Sequence, residues 1–379
     1  MRDDRSARMR ITRFFASLPG MVLAGCVIGI VATLLQKLGN PPNMGICVAC
    51  FTRDTAGALG LHRAAVVQAI RPEIIGFVLG SMVAALLFRE FRPRGGSAPI
   101  ARFMLGIFAM IGALVFLGCP WRALLRLAGG DGNAIVGLLG LLLGVGLGCI
   151  CLKRGYTLGR AGRMPGFAGL LMPLFMVLLL VLLLFQVSTG EGGALFSSRK
   201  GPGAMLAPLA VSLGAGCLVG ILAQRTRFCT MGAVRDALLI RDFHLAAGVG
   251  SLLGAAFLMN LALGQFQAGY EAMPISHANA LWNFLGMTLS GLAFALAGGC
   301  PGRQFFLAGE GDGDSAVFVM GMLTGAGFAH NFHLAGVPDR LVDGAVQVGG
   351  PGPSGQVAVV LGLVFCALLG CTARAGRAT

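Results

Sequence analysis

Residues 168–187 read AGLLMPLFMVLLLVLLLFQV and carry no charged side chain. About 20 apolar residues is the length that crosses the hydrocarbon of a bilayer as a helix. The segment therefore predicts a membrane span, despite Pro173. Nine further stretches share its character, at roughly 16–37, 69–88, 101–118, 134–152, 205–224, 244–264, 280–299, 315–331 and 355–372. The weakest are 69–88, which opens on Arg71-Pro72, and 315–331. The fold class this predicts is an all-α polytopic membrane protein of about ten spans.

Composition points the same way. Of 379 residues, 56% are hydrophobic and 12% charged, against roughly 25% charged in a soluble domain. Glycine occupies 61 positions without a collagen period, which suits close helix packing in lipid. These values exclude a soluble enzyme, a disordered tail and a nucleic-acid reader. The partner they imply is the lipid bilayer. Eleven cysteines lie in a chain too long and apolar to need a disulfide framework. Most of them, including Cys26, Cys149, Cys151, Cys217, Cys366 and Cys371, read as small apolar packing residues.

The net charge of +14 comes from 29 Lys+Arg against 15 Asp+Glu. The basic residues mostly flank apolar runs. With the N-terminus and its Arg2, Arg5, Arg8, Arg10 and Arg13 inside, 20 of the 29 fall on the cytoplasmic side, as the positive-inside rule requires. Both termini are then cytoplasmic. The expected organisation is a basic N-terminus at 1–15, a first membrane half at 16–188, a linker at 189–204, a second half at 205–372 and a cytoplasmic tail at 373–379. Leu23-Ala24-Gly25-Cys26 after a basic segment also has the form of a lipoprotein signal. However, the chain stays apolar beyond Cys26, and Ala24-Gly25-Cys26 recurs as Ala215-Gly216-Cys217 deep in the chain.

That recurrence is one of three. Cys47-Val48-Ala49-Cys50 through Arg53-Asp54 aligns without gaps on Cys229-Thr230-Met231-Gly232 through Arg235-Asp236. Gly118-Cys119-Pro120-Trp121-Arg122 aligns on Gly299-Cys300-Pro301-Gly302-Arg303, and Gly130-Asp131-Gly132 on Gly311-Asp312-Gly313. Three blocks in one order at matching spacing predict a duplicated unit. Each unit holds five spans, an odd number, so the second enters the membrane inverted. Residues 44–61 and 228–242 are too polar and short to cross and read as re-entrant helices. The Cys-Pro blocks read as helix starts with proline at the first helical position and cysteine at the N-cap. Gly-Asp-Gly then ends each short helix.

Cysteine beside a helix N-terminus meets unpaired N–H groups and a positive dipole end. Arginine two or three residues on adds a fixed charge and a planar donor fork. Cys47, Cys50, Cys119, Arg122, Cys229, Arg235, Cys300 and Arg303 thus form a candidate pathway for a small anion containing sulphur or selenium. Sulphur interacts favourably with polarizable atoms. Asp54 and Asp236 read as partners of Arg53 and Arg235, or as proton carriers. Cys47-x-x-Cys50 also has redox spacing, which keeps a membrane thiol oxidoreductase open as an alternative. A third reading, a channel for a neutral solute, has no need of arginine beside each cysteine. No Walker A motif is present, no histidine cluster suggests a metal, and no cofactor is implied.

On Gly45-Ile46-Cys47, Gly118-Cys119-Pro120, Arg227-Phe228-Cys229 and Gly299-Cys300-Pro301-Gly302-Arg303, the chain resembles the YeeE/YedE family of bacterial inner-membrane proteins. That family includes thiosulfate transporters and a branch associated with selenium. Length and the extra Cys50 are more similar to the selenium branch. The resemblance implies a non-enzymatic importer in the inner membrane whose cysteines hand the anion inward. Cys119, Cys229 and Cys300 are the implied stations, and the expected recipient is a cytosolic sulphur-carrier protein.

Overall fold

The computed structural model describes residues 2–185 and 195–374, with side chains from residue 8 onward. Residue 1, the end of the expected first half (186–188), the first part of the expected linker (189–194) and most of the expected tail (375–379) lie outside the described residues. In the first half, α1 (Arg2–Phe15), α2 (Leu18–Lys37), α3 (Val48–Ala58), α4 (Pro72–Leu87), α5 (Pro99–Val115), α6 (Pro120–Ala128), α7 (Asn133–Lys153) and α8 (Gly166–Leu184) follow in order. The second half continues with α9 (Leu209–Thr226), α10 (Thr230–Ile240), α11 (His244–Ala262), α12 (Ala280–Ala297), α13 (Pro301–Gly309), α14 (Gly313–Asn331) and α15 (Pro353–Thr372). Two small antiparallel pairs join loops: β1 (Arg94–Gly95) with β2 (Gly162–Arg163), and β3 (Arg340–Val342) with β4 (Ala345–Gln347).

Every expected span coincides with a helix. Among the described residues, eight helical stretches are long and apolar enough to cross a membrane. They are α2, α5 with α6, α7, α8, α9 with α10, α11, α12 with α13, and α15. The two spans outside this set, α4 and α14, are those whose sequence signal is weakest. α4 has only 16 residues, and α14 carries Asp314 in its first turn. Both are mostly buried in protein. A helix surrounded by other helices does not need the apolarity that lipid demands.

The helix pairings carry the duplication. α2 packs on α11 as α9 packs on α4, and α5 packs on α14 as α12 packs on α7. Exchanging the halves converts each pair into the other. Glycines fix the direction of these contacts. A β-carbon on Gly25 would strike Gly248, and one on Gly29 would strike Leu252. Likewise Gly140 abuts Phe284 and Gly144 abuts Thr288. Rising numbers on both helices mean parallel packing. The third spans of the two halves, α5 and α12, behave oppositely. Ser290 Oγ donates to the Ala109 carbonyl at 3.0 Å, while Gly112 faces Gly286, so α5 and α12 run antiparallel. Equivalent helices that run antiparallel make the halves inverted repeats. The fifth spans break the symmetry: α8 packs on α4, α13 and α14, whereas α15 packs mainly on α12 and α5.

These close approaches yield a test. Gly144 lies so near the α12 backbone that a β-carbon would overlap Thr288 and sit 2.7 Å from the Leu292 nitrogen. Gly146, on the same helix, has only Leu238 Cδ1 at 4.0 Å. Gly144→Leu is expected to cost at least about 1–3 kcal/mol by overpacking, and Gly146→Leu close to nothing. Thermal unfolding of the two detergent-purified variants should separate them. Equal midpoints would contradict the packing described.

Candidate functional site

Four short helices begin on four of the cysteines matched by the repeat. Cys47, Cys119, Cys229 and Cys300 are the N-cap residues of α3, α6, α10 and α13. Pro120 and Pro301 take the first helical position, where a missing N–H costs nothing. Both short helices end before Gly-Asp-Gly, and Gly130 and Gly311 adopt positive φ, +99° and +94°, a region that favours glycine. The aspartate turns are braced across the halves. Asp312 bridges to Arg94, and Asp131 bridges to Gly269.

The cysteines gather into two clusters. In the first, Cys47 Sγ accepts the Cys50 backbone N–H at 3.4 Å and lies 3.7 Å from Cys119 Sγ. Cys50 Sγ donates to the Leu117 carbonyl at 3.7 Å and accepts from Arg122 Nη1 at 3.9 Å. In the second, Cys229 Sγ accepts the Gly232 N–H at 3.2 Å and the Cys300 N–H at 3.5 Å. All five cysteines are buried. The Cys119 and Cys300 sulphurs do not cap their own helices. A cavity of about 380 Å³ between α6, α7, α10 and α11 reaches Pro120 and Thr230, next to Cys119 and Cys229.

The arginines divide by their partners. Arg122 is fully buried and donates from Nη2 to the Ile275 carbonyl at 2.9 Å. Its Nε has no partner, and no carboxylate among the described residues forms an ion pair with it. Its repeat mate Arg303 lies 3.6 Å from Glu310. Glu310 stands where the first half has Gly129, and it also binds Arg227 at 3.3 Å. Arg227 reaches Glu90 at 3.3 Å, and Glu90 pairs with Arg225 at 3.0 Å. An alternating chain of charge therefore ends on Arg303. The expected pairing of Arg53 with Asp54 is present at 2.6 Å, and that of Arg235 with Asp236 at 2.8 Å. Arg235 is about a third exposed, and the structure joins it to Asp236 rather than to a cysteine.

Several residues that sequence reasoning did not single out belong to this region. Arg71 holds the second oxygen of Asp54 at 2.8 Å and donates to the Met205 and Pro202 carbonyls. The described end of the linker is thus docked on the first half. An Asp54 held between two arginines is poorly suited to carrying a proton. Arg126 pairs with Asp131 at 2.7 Å, both fully buried. It also donates to the Phe116 carbonyl at 2.9 Å and to Ser276 Oγ at 2.5 Å. Trp121 is packed among Phe77, Phe228 and Phe306. For Arg71 and Arg126 a signal existed, because an arginine within a membrane-depth segment demands a partner. Among the described residues no His, Cys, Asp and Glu side chains group so as to hold a metal ion.

Fold and site together define a polytopic membrane protein of inverted repeats, with cysteine clusters at helix starts inside it. The family model described as Sulphur transport matches residues 225–378, so the resemblance to the YeeE/YedE family holds on the second half of the chain. The match does not separate a selenium branch from a thiosulfate one. The chain is 34% identical over 96 residues to the thiosulfate transporter TsuA of Spirochaeta thermophila, covering 25% of this chain and 28% of that protein. It is 27% identical over 99 residues to an uncharacterized protein of Methanocaldococcus jannaschii, covering 23% of this chain and 94% of that protein. The aligned stretch thus spans little more than a quarter of the transporter's length.

Proposed function

We propose that the chain imports a small sulphur- or selenium-containing anion, thiosulfate being the best-supported candidate, across the bacterial inner membrane. The observation that carries this reading is the pair of buried cysteine clusters at four helix starts, one from each half, with Arg122 beside the first and in no ion pair among the described residues. Helix N-termini favour anions. Thiols are soft weak donors, and a buried arginine without a carboxylate lacks the counter-charge that an anion supplies. The anion is held by Cys47, Cys50, Cys119 and Arg122, then by Cys229 and Cys300, with Arg303 and Arg235 towards the second face. The sites are closed in this conformation, so passage requires the packing between the halves to open. Both termini, the Arg303 face and any sulphur-carrier recipient are cytoplasmic in this reading.

The test is uptake of labelled thiosulfate, selenite and selenide-donor species into proteoliposomes. Single Cys→Ser variants at 47, 50, 119, 229 and 300 accompany the unaltered protein. Serine keeps size but exchanges a soft atom for a hard one. Loss of uptake at 119, 229 and 300 with intact folding is the expected result. A thiol oxidoreductase would instead need Cys47 and Cys50 and tolerate Cys300→Ser. The same reading predicts that labels at 119–133 and 300–314 react from opposite sides of the membrane. Reaction from one side would remove the orientation proposed.

A further inference from the structure

Gly-Cys-Pro-x-Arg occurs twice, and its variable position is Trp121 in one half and Gly302 in the other. In the fold these two positions meet. A β-carbon on Gly302 would lie 3.2 Å from Trp121 Cζ2 and 3.4 Å from Cε2. Both atoms belong to the six-membered ring, so the indole lies against Gly302, two residues past Cys300. Trp121 itself is two residues past Cys119, and its ring packs edge-on against Phe228, the neighbour of Cys229, with centroids 5.6 Å apart. The indole therefore joins the helix start at Cys119 to residues beside Cys229 and Cys300.

Its chemistry is unspent. Trp121 is 1% exposed, yet its Nε1 has no hydrogen-bond partner. A buried donor without a partner is destabilising. Phenylalanine, the residue at all three ring neighbours, would fill the aromatic cluster without that cost. Thr230 Oγ1, one residue past Cys229, and Arg122 Nε, one residue past Trp121, also lack partners. Open hydrogen-bonding capacity thus occurs in the helix that starts at Cys119 and in the one that starts at Cys229. An indole N–H is a donor only and stays neutral, so it holds an anion without the strong attraction of a charge and releases it readily.

We propose, on the basis of the transport reading above, that Trp121 is the hand-over station between the clusters. Its N–H hydrogen-bonds the anion on its way from Cys47 and Cys119 to Cys229 and Cys300. Its ring, seated on Gly302 and held by Phe77, Phe228 and Phe306, keeps the two sides apart when no anion is present.

The chain has two tryptophans, so Trp282→Phe leaves Trp121 as the sole indole. In that background, saturating thiosulfate is expected to shift Trp121 emission, and Trp121→Phe to lower proteoliposome uptake of labelled thiosulfate by roughly tenfold or more. Uptake by Trp121→Phe at the parent rate, or emission indifferent to thiosulfate, overturns the proposal while leaving transport intact. If Trp121→Phe does not fold, the emission measurement decides alone. If the unaltered protein imports neither thiosulfate nor the selenium species, the transport reading falls before any variant is made, and this inference falls with it.

Discussion

Arg122→Ala is expected to abolish uptake without destabilising the protein. Arg122 is fully buried, has no carboxylate partner among the described residues, and holds only the Ile275 carbonyl and Cys50 Sγ. A buried charge costs desolvation energy unless it is paired. Its removal therefore relieves the empty protein, while the anion loses charge-assisted hydrogen bonds worth about 1.5–3 kcal/mol each. Thiosulfate uptake should fall roughly 10- to 100-fold per lost bond, with an unchanged or raised unfolding midpoint. Arg122→Lys keeps the charge but not the fork and should retain more activity. Arg303→Ala should impair uptake less, because Glu310 already offsets that charge. Normal uptake by a well-folded Arg122→Ala protein would rule out the anion site.

Asp131→Ala, which removes the partner of Arg126 one helical turn from Arg122, is expected to do the reverse. Arg126 and Asp131 form a fully buried ion pair at 2.7 Å, and Arg126 also ties α6 to the Phe116 carbonyl and to Ser276. Removing one partner of such a pair costs about 3–5 kcal/mol, because the other is left charged and buried. That is a large fraction of the 5–15 kcal/mol that holds a typical fold. The yield of monodisperse protein in detergent should collapse for Asp131→Ala. The double replacement Arg126→Met with Asp131→Leu should recover much of it, since no orphaned charge remains. A stable Asp131→Ala protein, or no rescue by the double variant, would contradict the structural role. Two arginines four residues apart on α6 thus separate into one that serves the anion and one that serves the fold.

Much of the architecture was legible in the sequence because its causes are local. An apolar run of about 20 residues is a span whatever surrounds it, and all ten expected spans coincide with helices. Cys-Pro at a helix start and Gly-Asp-Gly at its end depend on a few consecutive residues, so α6 and α13 follow from their own motifs. The same holds for Arg53 with Asp54 and Arg235 with Asp236, adjacent in sequence and paired in space. The weak signal at 69–88 and 315–331 also carried information, since α4 and α14 are helices screened from lipid by their neighbours.

The sequence by itself determined the membrane class, the duplicated unit and the cysteine at each short helix start, all properties of periodicity, capping and internal alignment. Only the tertiary structure decided which side chains meet. Cys47 reaches Cys119 across 72 residues, and Cys229 meets Cys300 across 71. Matching spacing does not reveal either contact, because a repeat aligns positions between halves and not partners within one. The contrast between Arg122 and Arg126 was hidden for the same reason. Both are arginines on one nine-residue helix, and their roles differ only because folding brings Asp131 and Ser276 to one and, among the described residues, no carboxylate to the other. The seating of Trp121 on Gly302 belongs here too. It arises from packing between inverted halves, where a large side chain in one repeat fills the space left by the missing side chain in its mate.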